Sequence, residues 1–183
     1  TGRAIRTISF VGLYSSNFKV IAVKIMNVLI TGCSRGIGKC MLDNLINEPL
    51  VKRIFALSSN PEIICNSEKV LKIHADFLSE QWEETLRKSI KGDQLNVIIN
   101  NAGYLFNGSI EATSEAEIHK MYRINYYAPL RIIQLLHSNA KEGRAHIVNI
   151  GSMGGFSGSV KYPGLSVYSS TKSALANLSE CWA

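Results

Sequence analysis

Acidic residues are missing from the first 42 positions of this 183-residue chain; the first is Asp43. The net charge of +6 is therefore uneven. Arg3, Arg6, Lys19 and Lys24 supply +4 within residues 1–24, and the remaining sixteen bases nearly balance fourteen acids. A chain body so close to neutral has no basic stripe with interleaved aromatics, which excludes a nucleic-acid partner as the reading of its charge. Cysteine is scarce too. Cys33, Cys40, Cys65 and Cys181 form no C-x-x-C pair, and His74, His119, His137 and His146 are scattered. That spacing excludes a sequence-encoded metal site and a disulfide framework, and reads as small buried thiols in a reducing, cytoplasmic setting. No apolar run approaches the ~18 residues that a membrane span requires.

What remains is the composition of an ordinary globular domain, 46% hydrophobic and 19% charged. Residues 1–24 carry a short apolar patch at 8–14 together with Arg and Ser, which has some character of an organelle-targeting segment. Met26, directly before Asn-Val-Leu-Ile-Thr-Gly, marks a more natural start. Residues 1–24 are thus read as an extension outside the fold, and 25–183 as the domain. Apolar runs at 26–31, 53–58, 70–74, 96–100 and 146–150 are short, branched and bounded by polar residues or glycine, as strands covered on both faces should be. Helices are predicted at 37–47, at 79–90 with Ser79 as N-cap, at 114–140 with a capping box at Ser114 and Glu117, and from Val167 onward. Pro129 should kink or divide the third of these. The alternation predicts an α/β fold of β-α-β-α-β-α-β-α-β-α layout: a Rossmann-type, doubly wound parallel sheet.

The first predicted strand runs directly into Thr31-Gly32-Cys33-Ser34-Arg35-Gly36-Ile37-Gly38, which opens the first predicted helix. In that position a glycine turn binds a dinucleotide. Gly32 permits the tight turn, Gly36 lets backbone approach a pyrophosphate, and Gly38 allows close helix packing, while the helix N-terminus offers free N–H groups to phosphate. An acid that grips the adenosine ribose normally stands about 20 residues on. Here Ser58 and Ser59 occupy that place, and Arg35 adds a positive charge. The set favours NADP(H) over NAD(H). Asp76, after the third strand, can accept from an adenine amino group. Asn100-Asn101-Ala102-Gly103 closes the fourth strand with small residues that let a cofactor lie against the sheet edge.

Tyr168 and Lys172 stand at i and i+4 of the last helix and share a face. A free phenol ionises near pH ~10, and a neighbouring ammonium favours its anion. Tyr168 then exchanges a proton while hydride moves, and Lys172 reaches the nicotinamide ribose. Ser152 follows the fifth strand, sixteen residues before Tyr168, with a glycine-rich loop between them that can return it to the helix start. Its hydroxyl can hold a substrate oxygen. Asn125 sits just before Pro129, where a disrupted helix would free polar groups to hold a water beside Lys172.

With these motifs in place, the chain from Met26 onward resembles the compact, single-domain short-chain dehydrogenase/reductase family. The resemblance implies a catalytic tetrad of Asn125, Ser152, Tyr168 and Lys172. It implies a cofactor site at Gly32, Ser34, Arg35, Ile37, Gly38, Asp76, Asn101, Ala102 and Gly103. It also implies a small-molecule carbonyl or alcohol substrate and a homodimer or homotetramer. The Ser152–Tyr168 spacing is a few residues longer than is usual in the family. The family continues past the last helix with two strands, a helix and a substrate loop. The domain is therefore expected to be C-terminally incomplete, stopping after the sixth helix with five strands, its fifth strand an exposed edge. A non-catalytic dinucleotide-binding module is the alternative; a sugar-nucleotide epimerase is disfavoured by the glycine spacing.

Overall fold

A computed structural model describes residues 25–63, 65–140 and 145–182. The predicted extension at 1–24 lies outside the described residues. Five parallel strands, β1 (Met26–Thr31), β2 (Val51–Ser58), β3 (Val70–His74), β4 (Val97–Asn100) and β5 (His146–Asn149), form one sheet in the order β3-β2-β1-β4-β5. Side chains of a strand alternate between faces, and both faces of β1 are buried. Leu29 joins a core with Phe55, Ile73 and Ile98 beneath helices α2 (Trp82–Ile90) and α4 (Ala128–Leu136). Val28 and Ile30 join Ile54 and Leu42 beneath α1 (Gly36–Asn47) on the other side. This is the doubly wound, Rossmann-type arrangement, with the order reversing between β1 and β4, where such folds bind ligands at the strands' carboxyl ends.

Several element boundaries differ from expectation for local reasons. β2 begins at Val51, two residues early, because Val51 pairs with Met26 while Lys52 and Arg53 face water. Ser79 does not cap α2. Its N–H and hydroxyl both donate to the Asp76 carbonyl in a turn, at 3.0 and 2.9 Å, and the helix starts at Trp82. Trp82, Leu86 and Ile90 form the buried face, and Gly92, at φ +81°, follows the end. No helix separates β2 from β3 among the described residues, contrary to the strict alternation. Ser58 Oγ accepts from Asn60 N, and Asn60 Oδ1 accepts from Glu62 N, so side chains there compete with helix formation. The described residues accordingly hold five α-helices, not six.

The predicted 114–140 helix is divided. Ser114 Oγ caps α3 (Glu115–Tyr122) by accepting from Glu117 N, but the reciprocal half of the box is unmade, and Glu117 Oε2 is buried without a partner among the described residues. Residues Arg123–Tyr127 then form a π-turn, closed by Ala128 N donating to Arg123 O, before α4 begins. Pro129 lacks an N–H, and the widened turn upstream absorbs that gap in the ladder. The last helix is α5 (Ser166–Trp182). β5 is the edge strand of the described sheet and ends one residue before Ile150.

Candidate active site

The candidate cofactor cradle lies at the reversal point. Thr31, buried at the end of β1, accepts at Oγ1 from Asn101 N (3.1 Å) and Ala102 N (2.9 Å). Asn101 Nδ2 donates back to the carbonyls of Thr31 (3.0 Å) and Gly32 (3.1 Å). These bonds lock the glycine turn to the end of β4. The glycines are forced by what surrounds them. Gly32 has φ +68°, and a Cβ there would lie 2.6 Å from Ala102 Cα. A Cβ on Gly38 would lie 2.2 Å from the Gly32 carbonyl oxygen. Gly36, at φ +57°, has nothing within 4 Å of its Cβ position and stands at an open surface. Arg35 is the N-cap of α1, and its side chain makes no cap bond; no acid lies in the first turn. The first N–H groups of α1 are thereby left for an anion.

The remaining cofactor candidates are placed as follows. Ser34 is half-buried, while Arg35, Ile37 and Ser59 are exposed. Ser58 is buried, its Oγ engaged by Asn60 N, and His74 Nε2 donates to the Ser59 carbonyl at 3.0 Å. Asp76 Oδ1 accepts from Leu78 N at 3.0 Å, and its other oxygen has no bond among the described residues. Cys33, inside the turn, is wholly buried; burial pushes its thiol up to about 11, and Sγ donates to the Leu57 carbonyl.

The residues expected to move a proton are placed where α5, the π-turn and the ends of β4 and β5 converge. Lys172 is 3% exposed, and its Nζ donates to the Ile150 carbonyl at 2.7 Å. Burial lowers its pKa from the ordinary value. Its Nζ is 6.0 Å from the centroid of the Tyr168 ring, so the i, i+4 pair does share a face. A Cβ placed on Gly103 would lie 3.5 Å from Asn125 Oδ1 and 3.8 Å from Lys172 Nζ, which puts the end of the Asn-Asn-Ala-Gly segment against both.

Asn125 is fully buried within the π-turn. Its Oδ1 accepts from Tyr104 N (2.8 Å), and its Nδ2 donates to Tyr104 O (2.8 Å) and Thr171 Oγ1 (3.1 Å). Both amide hydrogens are thus committed, and the side chain braces the segment after β4 against α5, while Oδ1 keeps a second acceptor site. Ser152 is half-buried and opens a 3-10 turn, Met153–Gly155, whose last N–H donates to the Ser152 carbonyl at 2.9 Å. Two glycines seat this turn on α5. A Cβ on Gly154 would meet Ser169 Oγ at 2.6 Å, and one on Gly155 would meet Lys172 backbone at 2.9 Å.

Three supporting residues escaped the sequence reading. Thr31 ties the turn to β4. Thr171 bonds Asn125 and donates to the Tyr168 carbonyl at 2.7 Å. Ile150 presents the carbonyl that holds Lys172. Thr31 and Thr171 have a visible signal, a hydroxyl inside an otherwise apolar or catalytic stretch, whereas a backbone carbonyl has none. Among the described residues no cluster of three or more His, Cys, Asp or Glu could hold a metal, and no helix is long and apolar enough to cross a membrane.

This geometry has relatives. The family described as short chain dehydrogenase matches residues 26–183. The short-chain dehydrogenase RED1 of Pyricularia oryzae is 30% identical over 152 residues, covering 80% of this chain and 52% of its own length. An oxidoreductase of Schizosaccharomyces pombe is 31% identical over 160 residues, covering 84% of this chain and 52% of its own. The chain spans about half the length of the curated relatives it matches. Among solved structures, a short chain dehydrogenase family protein from Francisella tularensis superposes with a TM-score of 0.78 at 28% identity, over 87% of this chain and 63% of its own.

Proposed function

The chain belongs to the short chain dehydrogenase family, and from that premise we propose that it acts as an NADP(H)-dependent oxidoreductase, a carbonyl reductase or alcohol dehydrogenase, through Asn125, Ser152, Tyr168 and Lys172. One observation carries the reading: the buried lysine, held by the Ile150 carbonyl, lies 6.0 Å from the tyrosine ring at the same corner as Gly103 and Asn125. An ammonium in such a place is costly to bury, and its benefit is positive charge beside a group that must become negative.

The residues present fit a dinucleotide. The glycine turn leaves Gly36 open, the start of α1 has no side-chain cap, and no carboxylate lies in its first turn. When bound, the nicotinamide supplies hydride to a carbonyl carbon or takes it from an alcohol. Ser152 Oγ orients the substrate oxygen. Tyr168 Oη gives that oxygen a proton in reduction and takes it back in oxidation. Lys172 stabilises the negative charge left on the phenol. Asn125 keeps the Tyr104 backbone and α5 in register, so that these groups hold their positions. The preference for the phosphorylated cofactor rests on Ser58 and Ser59, where no acid repels a 2′-phosphate, and on exposed Arg35. We place the dinucleotide-binding unit at 25–183, with 1–24 an extension to it. The four free cysteines suit a reducing compartment such as the cytoplasm.

The test is a fluorescence titration with NADPH and NADH, followed by NADPH oxidation against a panel of ketones and aldehydes. Tighter NADPH binding that loses selectivity in Arg35→Ala is expected. Tighter NADH binding, or selectivity unchanged by that substitution, would count against the cofactor assignment.

A further inference from the structure

The two segments that frame Ser152 and Tyr168 have an unusual charge balance. One begins at Gly103, beside Lys172, and runs along residues 104–113. The other runs from Ser152 through residues 153–165 to the start of α5. They meet where Gly108 N donates to the Gly164 carbonyl at 3.0 Å. Across residues 101–113 and 151–170 the sequence holds one acid, Glu111, and one base, Lys161.

Lys161 is not free to meet a substrate. Its Nζ donates to the Gly154 carbonyl at 2.8 Å, to Ser159 Oγ at 2.9 Å and to the Phe156 carbonyl. An ammonium has three hydrogens, and all three are taken by its own loop. The single hydrogen of Ser159 Oγ is shared between the Phe156 and Met153 carbonyls, so the loop is closed on itself. Among the described residues, Lys120 Nζ sits 4.0 Å over the Tyr104 ring, and Lys172, 3% exposed, donates to the Ile150 carbonyl and faces the Tyr168 ring. In place of charge, the two segments present Leu105, Ile110, Met153, Phe156, Val160 and Tyr162, which are 47% to 69% exposed. Six exposed large apolar side chains on two segments joined by a hydrogen bond suit an apolar ligand, and these segments offer no unengaged cation to repay the desolvation of a carboxylate or phosphate.

Resting on the oxidoreductase reading above, we propose that the substrate is a neutral, bulky, apolar carbonyl compound, with Lys161 serving as a loop clamp and not as an anion receptor. In reduction, hydride passes from NADPH to the carbonyl carbon and the Tyr168 proton to its oxygen, so the ketone becomes an alcohol and the cofactor becomes NADP⁺. The apolar segments hold the substituents on either side of that carbon.

A matched pair tests this directly: methyl benzoylformate and benzoylformate share a reacting ketone and an aryl group, and differ by one negative charge. With NADPH and the whole chain, kcat/KM for the ester should exceed that for the acid by about 30-fold or more. Met153→Arg, which places a cation on the surface beside Ser152, should narrow the gap at least tenfold by raising kcat/KM for the acid. Lys161→Met should leave the ester preference in place. Equal or better turnover of the acid, or selective loss of the acid in Lys161→Met, would overturn the proposal. Reduction of the small neutral diketone diacetyl without reduction of the ester would overturn it while leaving the oxidoreductase reading intact. If none of the three is reduced although NADPH binds, both readings fail.

Discussion

Replacing Lys172 with methionine keeps the length of the side chain and removes its charge. Taking the 6.0 Å separation between Nζ and the Tyr168 ring as the scale, two unit charges interact by roughly 2.8 kcal/mol at an effective dielectric near 20. That is the stabilisation withdrawn when the phenol turns negative, and it corresponds to a fall in turnover of about 10²-fold. Folding should respond in the opposite sense. Burial lowers the lysine pKa from its ordinary 10.5. Below the lowered folded value both states carry the proton, and the folded chain bears the full cost of a buried charge. Between the folded value and 10.5 the unfolded chain binds more protons than the folded one, so stability rises with pH across that window. Lys172→Met should therefore melt higher relative to the parent at neutral pH, and the difference should shrink as pH climbs toward 10.5. Its offset also contains the lost bond to Ile150, a cost of about 1 kcal/mol, so the slope is the quantity to read. Steady-state NADPH oxidation with methyl benzoylformate gives the first number, and calorimetry from pH 7 upward gives the second. Turnover within threefold of the parent, or a melting difference flat in pH, would refute the electrostatic role.

The glycine turn offers a paired experiment. Gly38→Ala drives a methyl into the Gly32 carbonyl at 2.2 Å and should cost about 1–3 kcal/mol of stability. Gly36→Ala meets open space and should cost only about 1 kcal/mol, from its left-handed backbone, while weakening NADPH binding; equal denaturation midpoints for the two would contradict the packing argument. Iodoacetamide at pH 8 should modify exposed Cys40 and Cys181 and spare Cys33, whose thiol is buried and shifted to about 11. Peptide mass mapping would show the opposite order if the turn opens readily.

Much of this molecule is written in its pattern. Buried runs such as Val28-Leu29-Ile30 announce strands covered on both faces, and the glycines announce the cradle by where they fall between strand and helix. The misreadings arose where side chains competed with the backbone. Ser79 looked like a cap but turns back onto Asp76, and Ser58 and Asn60 accept from the backbone two residues on, with no helix among the described residues of the β2–β3 connection. Pro129 signalled a break with Asn125 just before it, but not that the break would take the form of a π-turn. Asn125 shows the limit for the site. Its residue type marked it for function, yet whether its amide was free or committed depended on Tyr104 and Thr171, which reach it only through the fold. Lys172 likewise needed the Ile150 carbonyl, which side-chain chemistry does not encode.

The central claim is that Tyr168 moves the proton while the rest of the corner holds it in place. Tyr168→Phe removes the hydroxyl and keeps the ring, so NADPH affinity should stay within about threefold of the parent while kcat for ketone reduction falls by ~10²-fold or more. A variant that binds NADPH as the parent does and still reduces the ketone at a rate within tenfold of it would contradict the account.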